Sequence, residues 1–286
     1  MFNLMSRSGI LRSIPYHWKR LRFELGRPLV LGSKKYRVRG FLPNRLTTSS
    51  THEAHLLAPF AQALRSNAGH FVDVGVNTGQ TLQKVLTIDP GRSYVGFEPQ
   101  VGCCYFVDQF IRDNGATSAQ VIPLALSDRN GLLPIYSAHQ FDEMASLIET
   151  SQARHGRRRI ATFVSARIGD EVLVEMGIAK IAVLKVDVEG AELNVFRGLR
   201  STIVRDLPTC FFEVLPNFVG QERTRIDGTS AERNRAEAAD ILAFFVSTGY
   251  AVFQIDKSGA VAPITEFDLD RPEAFVSRDY MAKPVN

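Results

Sequence analysis

Short apolar runs and segments of helical periodicity alternate along most of the chain. Five of the runs are rich in β-branched and aromatic residues, which is typical of buried strands. They are residues 70–74, 93–98, 120–126, 181–187 and 209–215. Apolar positions at helical spacing follow several of these runs. Because strands alternate with helices, the pattern predicts an α/β fold built on a mostly parallel sheet.

Other segments depart from this alternation. Residues 132–137 are predicted to form an antiparallel excursion, and residues 160–168 form a further strand. The last two strands, residues 250–256 and 275–282, are predicted to form an antiparallel edge. The segment 138–159 lacks periodicity and contains the basic run Arg154–Arg159. We therefore expect a mobile loop there, lying over the functional site.

Charge is distributed unevenly along the chain. Residues 1–45 carry eleven Lys and Arg side chains and a single acid, Glu24, for a net charge of +10, whereas the remainder carries −6. We predict that residues 1–51 form a basic appendage to one domain at residues 52–286. An amphipathic helix around Trp18 could contact an anionic membrane surface peripherally, and an arm that packs on its own acidic domain explains the pattern equally well.

The three cysteines indicate a reducing compartment. Cys103 and Cys104 are adjacent, which disfavours a disulfide between them, and no pair has the spacing of a metal site. No apolar run is long enough to span a bilayer, and the N-terminal segment has no uninterrupted apolar core of a signal peptide. The expected location is the cytoplasm.

The stretch 70–80 predicts a ligand site. An apolar strand ends at Asp73, and a turn containing Gly75, Asn77 and Gly79 leads into a helix. This geometry presents backbone N–H groups to a nucleotide-like ligand. A carboxylate at the mouth of the turn would repel a pyrophosphate but would favour the ammonium and sulfonium groups of S-adenosylmethionine. Glu98, at the end of the next strand, suits two ribose hydroxyls.

Acidic residues follow the ends of five successive strands. They are Asp73, Glu98, Asp128, Asp187 and Glu213. In open parallel sheets, ligands bind at the carboxyl ends of the strands, so this repeated placement predicts a site along one edge of the sheet.

Four motifs together resemble the FkbM family of S-adenosylmethionine-dependent methyltransferases. They are Asp-Val-Gly-Val-Asn-Thr-Gly at 73–79, Phe-Glu-Pro at 97–99, Ala-Leu-Ser-Asp at 125–128 and Leu-Lys-Val-Asp-Val-Glu-Gly-Ala-Glu at 184–192. The resemblance implies a class I methyltransferase fold: a Rossmann-like, seven-stranded, mostly parallel sheet with an antiparallel last strand and helices on both faces. It also implies O-methylation, often of sugar or polyketide hydroxyls. Val76 departs from the family pattern, which usually has a small residue there.

The same resemblance implies roles for the motif residues. Gly75, Asn77 and Gly79 would line the methionine moiety of the cofactor, and Glu98 would bind its ribose. Ser127 and Asp128 would contact the adenine amine, and Asp187 would lie nearest the transferred methyl group.

An alcohol acceptor needs a base, and a carboxylate at the site is suitable. Asp187, Glu189 and Glu213 are the candidates, in that order. Glu189 and Glu192 also fit a second interpretation, in which they compensate the dipole at a helix N-terminus. Lys185 could pair with an acid or lie exposed on a rim. The carboxylates could bind magnesium, but no histidine spacing supports a metal site, and none is assigned.

The acceptor is expected to be a small molecule or a glycan. Base N-methyltransferases use an Asn/Asp-Pro-Pro-aromatic turn where this chain has Asp187-Val188-Glu189-Gly190, and Cys210 lies within a strand rather than in a nucleophile loop. The sequence therefore argues against nucleic acid. Two alternatives stay open: an NAD-dependent oxidoreductase, and a non-catalytic adaptor that docks through its basic arm.

Overall fold

The computed structural model describes residues 27–31, 34–39, 53–137, 142, 145–147, 160–219, 224–271 and 278–285. The strands are β1 (Arg27–Leu31), β2 (Lys34–Val38), β3 (His70–Val74), β4 (Tyr94–Phe97), β5 (Ala119–Ile122), β6 (Ala125–Ser127), β7 (Gly131–Ser137), β8 (Ile160–Ile168), β9 (Ile181–Val186), β10 (Thr209–Glu213), β11 (Phe218–Val219), β12 (Thr224–Arg225), β13 (Tyr250–Ile255), β14 (Val261–Ile264) and β15 (Asp279–Pro284). The α-helices are α1 (Leu57–Ser66), α2 (Gln80–Ile88), α3 (Val101–Asp113), α4 (Gly169–Glu175), α5 (Glu192–Gly198), α6 (Arg200–Asp206) and α7 (Gly228–Ser247).

The main sheet has the strand order β14-β13-β15-β10-β9-β3-β4-β5. Neighbouring strands from β5 to β10 are parallel, and β15 is antiparallel to both β10 and β13. The predicted fold is therefore confirmed, including the antiparallel last strand of the chain. The hairpin of β13 and β14 adds an eighth strand that the periodicity did not predict.

The predicted strand at 120–126 is two strands. Pro123 lies between β5 and β6. β5 is an edge strand of the main sheet, whereas β6 pairs with β8 in a three-stranded sheet of order β6-β8-β7. A proline has no backbone N–H for a ladder, so the run is interrupted there. As a result, Asp128 follows a strand of the small sheet and not of the main sheet.

Helices cover both faces of the main sheet, as predicted. On one face, α5 and α7 pack through Phe196 and Phe245, whose rings lie 4.8 Å apart. On the other, α1, α2 and α3 surround a second apolar layer in which the rings of Phe60 and Phe211 lie 4.7 Å apart. None of the described helices combines the length and apolarity needed to cross a membrane.

The hairpin of β1 and β2 packs on the second layer. Leu29 and Val38 are buried there, and Lys34 Nζ donates to the carbonyl of Leu86 at 2.8 Å, at the end of α2. Asn114 bonds both backbone groups of Arg37, at 2.6 and 2.8 Å. This part of the predicted appendage thus contacts the domain directly.

Several expectations fall on residues outside the described ranges. They are the helix around Trp18, the basic run at 154–159 and most of the loop at 138–159. The boundary at residue 51 and peripheral membrane contact stay predictions.

Candidate active site at the carboxyl edge of the sheet

The glycine turn after β3 is wedged against β9. Gly75 has φ +88°, and a Cβ atom there would lie 1.8 Å from the carbonyl oxygen of Asp187. Its N–H donates to the carbonyl of Phe97 at 2.9 Å. No side chain fits in that position, so the sequence requires glycine for the turn to lie between the ends of β4 and β9.

The turn is joined to Glu98 by hydrogen bonds. Asn77 has φ +51°, and its N–H donates to Glu98 Oε2 at 2.8 Å. The N–H of Gln100 donates to Glu98 Oε1 at 2.8 Å. Gly79, with φ +87°, precedes the first residue of α2. Each carboxylate oxygen retains further acceptor capacity, which a pair of hydroxyls could use.

Glu98 is almost fully buried, with 4% of its surface exposed. Burial raises its pKa to about 7, although the N–H groups of Gln100 and Asn77 oppose that shift by stabilising the charge. The carboxyl group is therefore held at the inner end of the site, away from bulk water.

Asp73 lies beneath the turn rather than in the cleft. It is fully buried, and it accepts a hydrogen bond from the hydroxyl of Tyr94. Burial raises its pKa to about 6, against the opposing charge of Lys185. Its Oδ1 has no hydrogen-bond partner among the described residues. Direct contact between Asp73 and the cofactor stays a prediction.

A cleft of about 550 Å³, part of which is open to solvent, lies over the turn. One part is polar and the other apolar. The polar part is lined by Gly75, Asn77, Glu98, Gln100, Asp187 and Glu189. The remaining lining is Val74, Phe97, Pro99, Leu124, Ala125, Leu126, Ile135, Ala145, Leu147, Val188 and Ala191.

Ser127 and Asp128 lie outside this lining. Ser127 is buried, and its hydroxyl lies 3.2 Å from Asp128 Oδ1, whereas Asp128 is exposed. A Cβ atom on Gly198 would lie 1.9 Å from the carbonyl oxygen of Ser127, so α5 packs directly on this strand end. The preceding residues Ala125 and Leu126 reach the cleft instead, and an adenine contact by the Ser-Asp pair stays a prediction.

Asp187 lies in the cleft and is paired with Lys185. Lys185 Nζ is 2.9 Å from Asp187 Oδ2, and the Asp187 side chain is 26% exposed. Burial lowers the pKa of Lys185, but the carboxylates of Asp187 and Asp73 outweigh that effect and raise it above its usual value. Lys185 is therefore a charged, buried partner of an acid.

Glu213 is held by an arginine from the other end of the domain. Arg278 Nε lies 2.6 Å from Glu213 Oε1. Burial raises the pKa of Glu213, Arg278 opposes the rise, and the charges of Asp187 and Glu189 add to it. The three predicted catalytic acids, Asp187, Glu189 and Glu213, therefore lie close enough for their charges to interact.

Sequence reasoning missed Arg278 and also His55. The register of β10 and β15 sets Glu213 opposite Asp279, and His55 Nε2 lies 2.7 Å from Asp279 Oδ2. No local pattern marks either residue, because both depend on where β15 inserts. Among the described residues, no group of three His, Cys, Asp or Glu side chains could hold a metal ion.

Solved structures of methyltransferases resemble the chain. A methyltransferase FkbM from Methylobacillus flagellatus KT has 14% identity and a TM-score of 0.44, covering 75% of this chain and 43% of that one. This chain therefore spans less than half of that protein. An S-adenosylmethionine-dependent O-methyltransferase from Thermotoga maritima has 9% identity and a TM-score of 0.41, covering 92% and 78%. The plantazolicin methyltransferase BpumL, in complex with S-adenosylhomocysteine, has 10% identity and a TM-score of 0.40, covering 81% and 82%.

Sequence comparison identifies the family. No curated protein sequence matches the chain. The family model of the methyltransferase FkbM domain matches residues 73–252, which is more than half of the 286 residues. The protein therefore belongs to the FkbM family of methyltransferases, and its methyl donor is S-adenosylmethionine.

Proposed function

We propose that this protein is an O-methyltransferase whose acceptor is a hydroxyl group of a sugar, a glycan or another small molecule. The observation that carries the proposal is the position of Asp187. Its carboxylate is partly exposed in the cleft, 2.9 Å from a buried ammonium group and at the end of the central strand β9. Family membership favours methyl transfer over the oxidoreductase alternative.

The residues of the cleft fit S-adenosylmethionine. The polar part, with Gly75, Asn77 and Glu98, is suited to the amino acid and ribose portions, because it combines a glycine turn with a carboxylate that can accept from hydroxyls. The side-chain oxygen of Asn77 is buried beside the cleft and accepts no hydrogen bond from the described residues, so its acceptor capacity is unused by the protein. Leu126 and Ile135 in the apolar part would pack on the adenine ring.

Asp187 would accept the proton of the acceptor hydroxyl. When bound, S-adenosylmethionine supplies an electrophilic methyl group for an in-line displacement, and positioning provides much of the acceleration. Lys185 fixes the Asp187 carboxylate from below and stays charged. Glu213 is a weaker candidate because Arg278 already binds it. Glu189 lines the cleft and is the second candidate.

Cofactor titration and an acceptor screen test this function together. Isothermal titration calorimetry should give binding of S-adenosylmethionine and no comparable binding of NAD. Release of S-adenosylhomocysteine would then be measured with a panel of neutral, amino and acidic sugars. Tight binding of NAD in place of the methyl donor would contradict the proposal. Cofactor binding with no turnover on any acceptor would favour the adaptor alternative.

Asp187→Asn tests the assigned base. The amide cannot accept the proton, so turnover should fall by about 10²- to 10⁴-fold, the usual contribution of such a group. The affinity for S-adenosylmethionine, measured by calorimetry, should change little because the glycine turn and Glu98 are untouched. Asp240→Asn, at an exposed carboxylate on α7 outside the lining of the cleft, is the matched control. Normal turnover by Asp187→Asn would show that the assignment is wrong.

A further inference from the structure

The turn between β9 and α5 has an unfavourable backbone conformation. Glu189 has φ +57° and Gly190 has φ +100°. Glycine adopts such angles without strain, but a glutamate does so only where its surroundings hold it. The contacts that hold Glu189 therefore determine where its side chain lies in the cleft.

Glu192, the first residue of α5, provides one of these contacts. Its Oε1 accepts from the N–H of Val188 at 3.0 Å and from the N–H of Gly190 at 3.2 Å. Its Oε2 accepts from the same Gly190 N–H at 3.0 Å. One carboxyl group thus binds the amides on both sides of Glu189.

Ser146 holds the turn from the opposite side. Its hydroxyl donates to the carbonyl of Glu189 at 2.8 Å, and the serine is buried. The neighbouring residues Ala145 and Leu147 line the cleft together with Glu189. The backbone of Glu189 is therefore fixed between α5 and the segment that borders the cofactor cleft.

The surroundings of Glu192 are unfavourable for a carboxylate. Only 2% of the residue is exposed, and Glu192 lines a small cavity, partly open to solvent, together with Glu237 and Asn234 of α7. Burial raises the pKa of Glu192, and the neighbouring carboxylate of Glu237 adds to the effect. Burying an acid here costs free energy, and its hydrogen bonds to other residues go to the turn.

We propose that Glu192 is a positioning residue for methyl transfer, which holds the turn 188–190 so that Glu189 keeps its left-handed backbone and its place in the cleft. The inference rests on the proposed function in one respect, that the cleft is the site of the reaction. Glu192 acts through Glu189 and does not itself line the cleft.

A double-mutant cycle on binding of S-adenosylhomocysteine tests this role without an acceptor. In Glu192→Gln the amide oxygen can keep the position of Oε1, but an NH₂ group takes the place of Oε2 and faces the N–H of Gly190. The shorter of the two contacts to Gly190 is then lost, so the affinity measured by calorimetry should fall about tenfold. Glu189→Gln should weaken binding as well, because Glu189 lines the polar part of the same cleft as Gly75, Asn77 and Glu98. If Glu192 acts through Glu189, adding Glu192→Gln to Glu189→Gln should cost no more than about twofold further. Fully multiplicative effects, or unchanged affinity in Glu192→Gln, would overturn the proposal.

Two further variants separate the effect on the turn from a general disturbance of the cavity. Glu237→Gln alters the other carboxyl of the same cavity and should leave the affinity within about twofold. Ser146→Ala loosens the turn from the other side and should also be non-additive with Glu189→Gln, which keeps the test decisive if Glu192→Gln does not fold. Amide hydrogen exchange at Val188 and Gly190 should accelerate in Glu192→Gln and not in Glu237→Gln. Because none of these measurements uses an acceptor, an empty acceptor screen would contradict the proposed function alone.

Discussion

Close backbone approaches at single glycines shape the site. Gly75 meets the carbonyl of Asp187, and Gly198 meets the carbonyl of Ser127, each at a distance that leaves no room for a Cβ atom. Gly96 explains the departure at position 76: a Cβ there would lie 2.5 Å from Val76 Cγ2. The neighbouring strand thus makes room for a side chain that the family pattern usually keeps small.

Gly75→Ala should destabilise the protein by about 3 kcal/mol or more, because the new methyl group would overlap the Asp187 carbonyl and the backbone would have to shift. Gly177→Ala is the control, since Gly177 also has positive φ but nothing within 4 Å of the position that a Cβ atom would take. The free energy of unfolding of that variant should fall by only about 1 kcal/mol, the cost of placing a non-glycine residue at positive φ. Urea unfolding measures both. Equal losses would show that the close approach at Gly75 is unimportant.

Asp73 should make stability depend on pH. Its pKa rises from 3.8 to about 6 on folding, so its contribution to stability is fully present below pH 3.8 and is lost as the pH rises to 6. The loss amounts to about 3 kcal/mol. Asparagine does not titrate, so Asp73→Asn lacks this pH-dependent loss. The stability of the variant relative to the wild type should therefore rise between pH 4 and pH 7. Urea unfolding across that range measures the difference, and a difference independent of pH would contradict the assignment.

At the scale of elements, local chemistry decides where strands begin and end. Pro123 ends β5 and separates it from β6, although the apolar run continues through both. The β1–β2 hairpin is another local unit, whose two faces differ sharply. Leu29 is buried in the layer beneath α2 and α3, whereas its neighbour Val30 is 52% exposed.

The hairpin offers a matched pair of substitutions. Leu29→Ala should lower the free energy of unfolding by about 2 to 4 kcal/mol, because it leaves a cavity in the layer beneath the hairpin. Val30→Ala, one residue along the same strand, should change it by less than about 0.5 kcal/mol. Chemical denaturation of both variants is the measurement. Similar small effects would indicate that the hairpin contributes little to the domain.

At the scale of the whole molecule, strand order assembles the charged edge of the sheet. Because β15 inserts between β10 and β13, Arg278 at its start reaches Glu213 at the end of β10. The same edge carries Asp187 at the end of β9. The cluster of charges formed by Asp187, Glu213 and Arg278 therefore depends on how β9, β10 and β15 are arranged in the sheet.

Arg278→Gln should destabilise the protein by about 1 to 3 kcal/mol at pH 7, because it leaves the buried Glu213 carboxyl beside other acids without its cation. The Arg278 side chain is 36% exposed, which keeps the loss below that of a fully buried pair. Adding Glu213→Gln should recover part of it. Unfolding free energies of the single and double variants measure the coupling, and purely additive losses would contradict a direct pair.

The features that could be predicted from the sequence are those with a local pattern of residues. Alternating apolar runs and helical periodicity predicted the main strands and helices, and the glycine turn with Glu98 predicted residues that line the cleft. The family motifs predicted the cofactor. Each of these signals lies within a few residues of the feature that it predicts, since a turn or a strand end is set by its own chemistry.

The tertiary structure alone decided which predicted residues meet. The sequence places an acid at or after the end of each of five predicted strands. Packing buries Asp73 beneath the turn and leaves Asp128 exposed on the surface. Asp187 and Glu189 line the cleft. Packing also supplied Arg278, 65 residues beyond Glu213 in the chain. Residue type and spacing determine local conformation, whereas burial and pairing depend on the order in which distant strands join the sheet, and no local pattern encodes that order.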